Sequence, residues 1–165
     1  MTMIDRKTLK RFLSQYYRAK EKQDALRKRL HFLQKELQYP DIRSPHMDQA
    51  PIEGRVSEGA AALPFKIAEI EDRIQRQIDI ETKSVSDIMD VLDFLSADSV
   101  EKDILEYRHI DCKSWQEICD LVHLTRSPCF EHYNKALDML LSYKKVRLTV
   151  EAYIEREKRS AQDSY

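Results

Sequence analysis

Between Lys113 and Lys135 the chain sets out side chains that suit the base edges and phosphates of a DNA duplex. Lys113 and Ser114 open one short helical pattern. Thr125, Arg126 and Ser127 open the next, which carries Phe130, Glu131 and Lys135 further along. A guanidinium can grip guanine O6 and N7 or a phosphate, a carboxylate can accept from a cytosine amine, and a phenyl ring can touch a thymine methyl. Hydroxyls and the unpaired N–H groups of a helix start hold phosphate. On this reading Arg126, Ser127, Phe130, Glu131 and Lys135 face the groove, while Lys113, Ser114 and Thr125 position the module.

A second chemistry competes for the same span. His109, Cys112, Cys119, His123, Cys129 and His132 lie close in sequence, and both Cys119 with His123 and Cys129 with His132 have the spacing of metal ligands on a helix. Four of the six fall where helical packing already requires a core or turn residue, so no metal site is expected. Paired catalytic carboxylates, a phosphate-binding glycine loop and a supported nucleophile are all missing from the sequence. Neither an enzyme nor a cofactor is expected.

These side chains need a frame, and the local pattern supplies a helix-turn-helix. Ile104, Leu105, Tyr107 and Ile110 mark the apolar face of a first helix, and Asp111-Cys112-Lys113 breaks it. Ser114 and Glu117 form a capping-box signature, in which the serine oxygen accepts from a backbone N–H and the glutamate reaches back to the cap. The stripe of Trp115, Ile118, Cys119 and Val122 stops at His123-Leu124. Thr125 can cap the third helix, and Pro128 falls in its first turn, where a missing N–H costs no intrahelical bond. Two helices joined by three or four residues, the second longer, is the DNA-reading arrangement. A helical wheel puts Cys129, His132, Tyr133, Ala136 and Leu140 on one arc of that third helix, with Ser127, Phe130, Glu131 and Asn134 opposite. The same helix is expected to run on through Tyr143, Val146, Val150 and Ile154 into a fraying tail.

Upstream, two long helical patterns are expected. From Asp5 to Gln38, Leu9, Phe12, Tyr16, Ala19, Leu26, Leu30, Leu33 and Leu37 recur by threes and fours, with Gln23 a polar interruption. Residues 39–62 collect both glycines and several prolines and read as a loop. A second long helix starts near Leu63-Pro64, with a seam of Ile67, Ile70, Ile74, Ile78, Val85, Ile88, Leu92 and Leu95. The two seams can close as an antiparallel hairpin or as an intermolecular coiled coil giving a homodimer. The expected fold is therefore all-α: a helical hairpin or coiled coil over 1–95, a helix-turn-helix domain over 96–146, and an extension over 147–165.

With 28 Lys and Arg against 29 Asp and Glu, net charge specifies no partner. Its distribution is uneven: residues 1–40 carry 11 basic and 4 acidic side chains, residues 41–103 carry 7 and 15. No apolar run reaches the roughly 20 residues that span a bilayer, and no signal-peptide core follows Met1, so a cytoplasmic protein without a membrane partner is expected. Three cysteines, all in the helix-turn-helix region, do not suggest a disulfide framework.

The stretch from Val100 to Leu141 resembles region four of the bacterial sigma-70 factors, a promoter-reading helix-turn-helix. The resemblance rests on Asp103 to Ile110, Lys113 to Cys119, Leu124 to Ser127 and Lys135 to Leu137. The order of basic coil, loop, second coil and terminal module is similar to phage late-gene transcriptional regulators of the ArpU/RinA type. Where such modules place glycine in the turn, this chain has His123, among the less costly non-glycine residues at positive φ. The resemblance implies a double-stranded DNA-binding activator, with RNA polymerase as a further partner. Sigma-like recognition helices carry several arginines, whereas this one has Pro128, Phe130 and Glu131; weak phosphate attraction is implied, which dimerisation, polymerase or the basic first helix would supplement. A small terminase subunit and an adaptor that binds protein but no DNA are the two other architectures compatible with these elements.

Overall fold

Asp5 starts the chain's first helix. Its carboxylate accepts from the Thr8 backbone N–H at 2.8 Å and from the Thr8 hydroxyl at 2.7 Å, satisfying a donor that a helix start otherwise leaves unpaired. The computed structural model describes residues 3–39 and 58–163, which are helical throughout apart from caps and turns, with no strand among them. The helices are α1 (Arg6–Leu13), α2 (Gln15–Gln38), α3 (Glu58–Leu92), α4 (Val100–His109), α5 (Trp115–Val122), α6 (Arg126–Ser142) and α7 (Lys144–Gln162).

Three boundaries differ from the periodicity. The helix expected over Asp5 to Gln38 is interrupted at Ser14, with φ −86° and ψ 4°, although its N–H still reaches the Lys10 carbonyl at 3.0 Å. Leu9, Phe12 and Leu13, just before that break, are fully buried. The second long helix begins at Glu58 rather than at Leu63-Pro64, leaving Pro64 inside α3. The third, α6, ends at Ser142, because Tyr143 takes an extended conformation (φ −84°, ψ 121°) before α7. Arg147 Nη1 donates to the Leu141 carbonyl at 2.6 Å and the Ser142 carbonyl at 3.1 Å, so the exposed end of α6 is satisfied by its successor.

The chain forms two compact units. One, here the core unit, joins the residues up to Ala19 with those from Glu81 onward; the hairpin unit holds Lys20–Ile80. Sequence periodicity draws its boundaries at 95 and 146 instead, because a repeat of threes and fours does not say which neighbour a face meets. In the core unit α6 is central, packing on α1, α4, α5 and α7. Its Cys129, Ala136, Leu137 and Leu140 are fully buried, together with Leu9 and Phe12 of α1, Ile88 of α3, Ile104 of α4 and Ile118 of α5. Val146, Val150 and Ile154 of α7 belong to the same core, so the helical stretch expected to lead into the tail is held by packing.

The hairpin unit is of another kind. Ile74, Gln23 and Gln77 are its buried residues among those described, while Leu26, Leu30, Leu33, Ile67 and Ile70 are half-covered. Leu26 and Leu33 of α2 line the same groove as Lys66, Ile70 and Arg73 of α3. The two helices therefore lie side by side within one chain, as a hairpin. Most of the expected loop over 39–62, residues 40–57, lies outside the described residues.

Candidate nucleic-acid interface

Helix α5 starts as its sequence requires. Ser114 is the N-cap: its hydroxyl accepts from the Glu117 N–H at 3.3 Å, and its own N–H donates to Glu117 Oε2 at 2.7 Å. The Ser114 hydroxyl also donates to that oxygen, at 2.8 Å. These bonds from the Ser114 backbone and hydroxyl hold the Glu117 carboxyl below the usual carboxylate range. Ser114 thus engages both its N–H and its hydroxyl with Glu117, as the capping-box signature requires. Lys113 is half-buried at its side, and its carbonyl accepts from Arg108 Nη1 at 2.9 Å.

The turn behaves as expected at His123, which is left-handed at φ 56° and ψ 39°. Its N–H bonds the Cys119 carbonyl, and the Leu124 N–H reaches the same oxygen at 3.1 Å, an ending that most helices reserve for glycine. Cys112, at the other end of α5, is also left-handed at φ 53°. Thr125 occupies the N-cap position of α6, but its side chain makes no capping hydrogen bond, so the expected cap is positional only.

Arg126, Ser127 and Glu131 are exposed on α6, whose other side is the buried arc of Cys129, Tyr133, Ala136 and Leu140. His132, assigned to that arc, is only half-buried. Phe130 is half-buried because its ring lies 4.3 Å from that of Trp115, tilted by 37°. Trp115 in turn meets Tyr133 edge-on at 5.0 Å and carries the Arg108 guanidinium 5.1 Å from its centroid. The Arg126 guanidinium sits 5.7 Å from the Phe130 ring. A stack of cation, two rings and cation thus joins α4, α5 and the first turn of α6, bringing the starts of α5 and α6 together. Contacts of this type contribute about 0.5–1 kcal/mol each at exposed positions.

Lys135 is exposed on the same helix and has a partner within the chain. Its Nζ lies 3.0 Å from Glu101 Oε1, which His132 Nδ1 also approaches at 3.2 Å. Glu101 is only 8% exposed. The Lys135 ammonium first, and His132 to a lesser degree, hold its carboxyl down at about 2 against the opposing effect of burial. Lys135, though exposed, is therefore already matched by a carboxylate of its own chain. From Arg108 to Glu131 the cations Arg108, Lys113 and Arg126 are outnumbered by the carboxylates Asp111, Glu117, Asp120 and Glu131.

Sequence reasoning missed two residues that shape this surface, Glu101 and Arg108. Glu101 had a signal, since it stands three and four residues before Ile104 and Leu105, on the apolar side of α4. His109 is buried, with Nε2 3.1 Å from the Tyr133 hydroxyl and a hydrogen bond to the Leu13 backbone. Burial, aided by nearby Arg108, pushes its pKa down to about 3, so the ring is neutral. Of the other ligand candidates, Cys119 and Cys129 are buried free thiols. Burial, with Cys119 beside it, raises the Cys129 thiol to about 11. Among the described residues no three His, Cys, Asp or Glu side chains are grouped to hold a metal ion.

Compared with protein-family models, with curated proteins and with solved structures, the chain matches none.

Proposed function

We propose that this chain binds double-stranded DNA through α5 and α6 and acts as a sequence-specific transcription regulator, of the phage late-gene class that its sigma-region-four-like sequence resembles. The observation that carries this reading is the first turn of α6. Arg126 is exposed there beside Ser127, its guanidinium rests over Phe130, and the opposite side of the helix is closed by the core. A guanidinium held near a ring by a cation–π contact still has N–H donors to offer guanine or phosphate. Glu131, one turn on and exposed, is placed to accept from a cytosine amine.

Phosphate attraction from this face is small, since carboxylates outnumber cations from Arg108 to Glu131 and Lys135 is held by Glu101. Affinity would then come from a second contact, either RNA polymerase or a second copy of the chain. Among the described residues no helix is long and apolar enough to cross a membrane, in keeping with action on DNA in a bacterial host's cytoplasm. A protein-binding scaffold is the second reading, favoured by the carboxylates of Glu117, Asp120 and Glu131 on the face that would meet phosphate.

Selection of bound fragments from a random DNA pool at two salt concentrations, with wild type and Arg126→Ala side by side, tests the proposal. An enriched motif that disappears in the variant supports readout by α6. No enrichment at either salt, with or without RNA polymerase added, removes the DNA reading in favour of the scaffold.

A further inference from the structure

The hairpin unit carries an open groove of about 390 Å³ between α2 and α3, floored by Phe32, Leu33 and Ile70 and flanked by Lys28 and Arg29. The adjoining stretch adds Leu26 to the floor and Lys66 and Arg73 to the flanks. One carboxylate, Glu69, enters this rim, and Arg73 pairs with it at 2.7 Å. Phe32 is 61% exposed although it lies beside the seam.

We propose that this groove receives an amphipathic helix whose apolar stripe is bordered by Asp and Glu. The apolar floor lies between two side-by-side helices, and a third helix laid along such a pair completes a bundle. The described part of the hairpin has room for such a partner: Ile74 is its one buried hydrophobic residue among those described, and Leu26, Leu33 and Ile70 are only half-covered there. Charge selects the partner's chemistry. Lys28, Arg29 and Lys66 have no ion-pair partner among the described residues, and a flanking carboxylate would supply one. Charge also argues against a second copy docked groove to groove. A two-fold axis would bring Lys28, Arg29 and Lys66 of one chain against the same residues of the other, with only Glu69 to oppose them. The expected ligand therefore presents apolar residues at i, i+3 or i+4, and i+7, with acidic neighbours.

The test uses the full chain and two fluorescent synthetic helical peptides with leucine at the same heptad positions. One carries glutamate at the flanking positions and the other lysine. Fluorescence anisotropy should show saturable binding of the acidic peptide and at least about tenfold weaker binding of the basic one. The double variant K28E/R29E should reverse that preference, and Phe32→Ala should weaken the acidic peptide severalfold; both sites are on the surface, and circular dichroism verifies that the variants remain helical. Equal affinity for the two peptides, no binding of the acidic one, or indifference to both variants overturns the proposal. Sedimentation supplies a further outcome that overturns it: concentration-dependent assembly abolished by Phe32→Ala would make a second copy the occupant. None of these results depends on DNA binding.

Discussion

Leu9, Phe12 and Leu13 are fully buried, whereas Leu26, Leu30 and Leu33, at the same spacing of threes and fours, are only half-covered. The first set belongs to the core unit and the second to the hairpin unit. What separates them is the number of helices each face meets. α1 packs on α6 and α7, and Phe12 adds an edge-on contact with Tyr153 at 5.3 Å; the α2 seam shares its groove with α3. An apolar period says that a face exists, and the burial that makes the face stabilising comes from its surroundings.

The sharpest way to break this contrast is by truncation. Phe12→Ala should cost about 3–5 kcal/mol, the range for a fully enclosed aromatic side chain, while Leu33→Ala should cost about 1 kcal/mol or less because much of its surface already meets water. Denaturant unfolding at neutral pH measures both. Equal losses would mean that α1 does not share the core described here.

Acid should separate the two regions next. His109 has a pKa pushed down to about 3, below the ordinary value near 6.5, so the unfolded chain binds the proton more readily and stability falls as pH drops below about 6.5. Lowering the pH from 7 to 5 should remove about 2 kcal/mol, at about 1.4 kcal/mol per unit. Glu101, held at about 2 by Lys135 and His132, contributes stability that is present above about 4.5 and is lost toward about 2, so its effect arrives later. The buried polar residues of the hairpin unit, Gln23 and Gln77, carry no titratable proton in this range. Unfolding curves at pH 7 and pH 5 should converge in His109→Gln and stay apart in the wild type. A wild type insensitive over that interval would contradict the neutral buried imidazole.

Much of the local structure was legible in the sequence. Ser114 and Glu117 announced the start of α5, the pairing of α5 with a longer α6 announced the helix-turn-helix, and the arc of Cys129, Tyr133, Ala136 and Leu140 announced the buried side of α6. Each depends on neighbours within one or two turns. What escaped depends on distant partners. The pairing of Lys135 with Glu101 crosses from α6 to α4, and only folding brings Trp115 against Phe130. Tyr143 read as the continuation of a helix, since no Gly or Pro marks the break that Arg147 closes. Val150 and Ile154 read as part of an extension because the cover of α7 comes partly from α1, at the far end of the chain.

Backbone strain gives a smaller test, confined to the core unit. Cys112 and His123 hold φ at 53° and 56° on either side of α5, a region where a Cβ is crowded and glycine is not. His123→Gly should raise stability by up to about 1 kcal/mol, with the extra entropy of an unfolded glycine offsetting part of the relief. Thermal unfolding reads the shift. A loss of stability would show that the His123 side chain supports the turn by contacts that outweigh its conformational cost.

The last contrast lies in how each region spends its cations. In the core unit Arg6 pairs with Asp138, Arg11 and Arg18 with Glu157, Lys102 with Asp93 and Lys135 with Glu101, whereas Lys28, Arg29 and Lys66 of the hairpin unit have no such partner among the described residues. A cation already matched by a carboxylate releases few counterions when DNA arrives. Lys135→Ala should therefore change DNA affinity by no more than about twofold and leave its salt dependence nearly intact, while Arg126→Ala should lower the salt slope by about one. Glu101→Gln provides the complementary arm. Without the carboxylate charge, Lys135 becomes available to phosphate, and both affinity and salt slope should rise. If Lys135→Ala instead weakens DNA as much as Arg126→Ala does, the lysine leaves Glu101 on binding, and the groove-facing role first read from its position on the helix is restored.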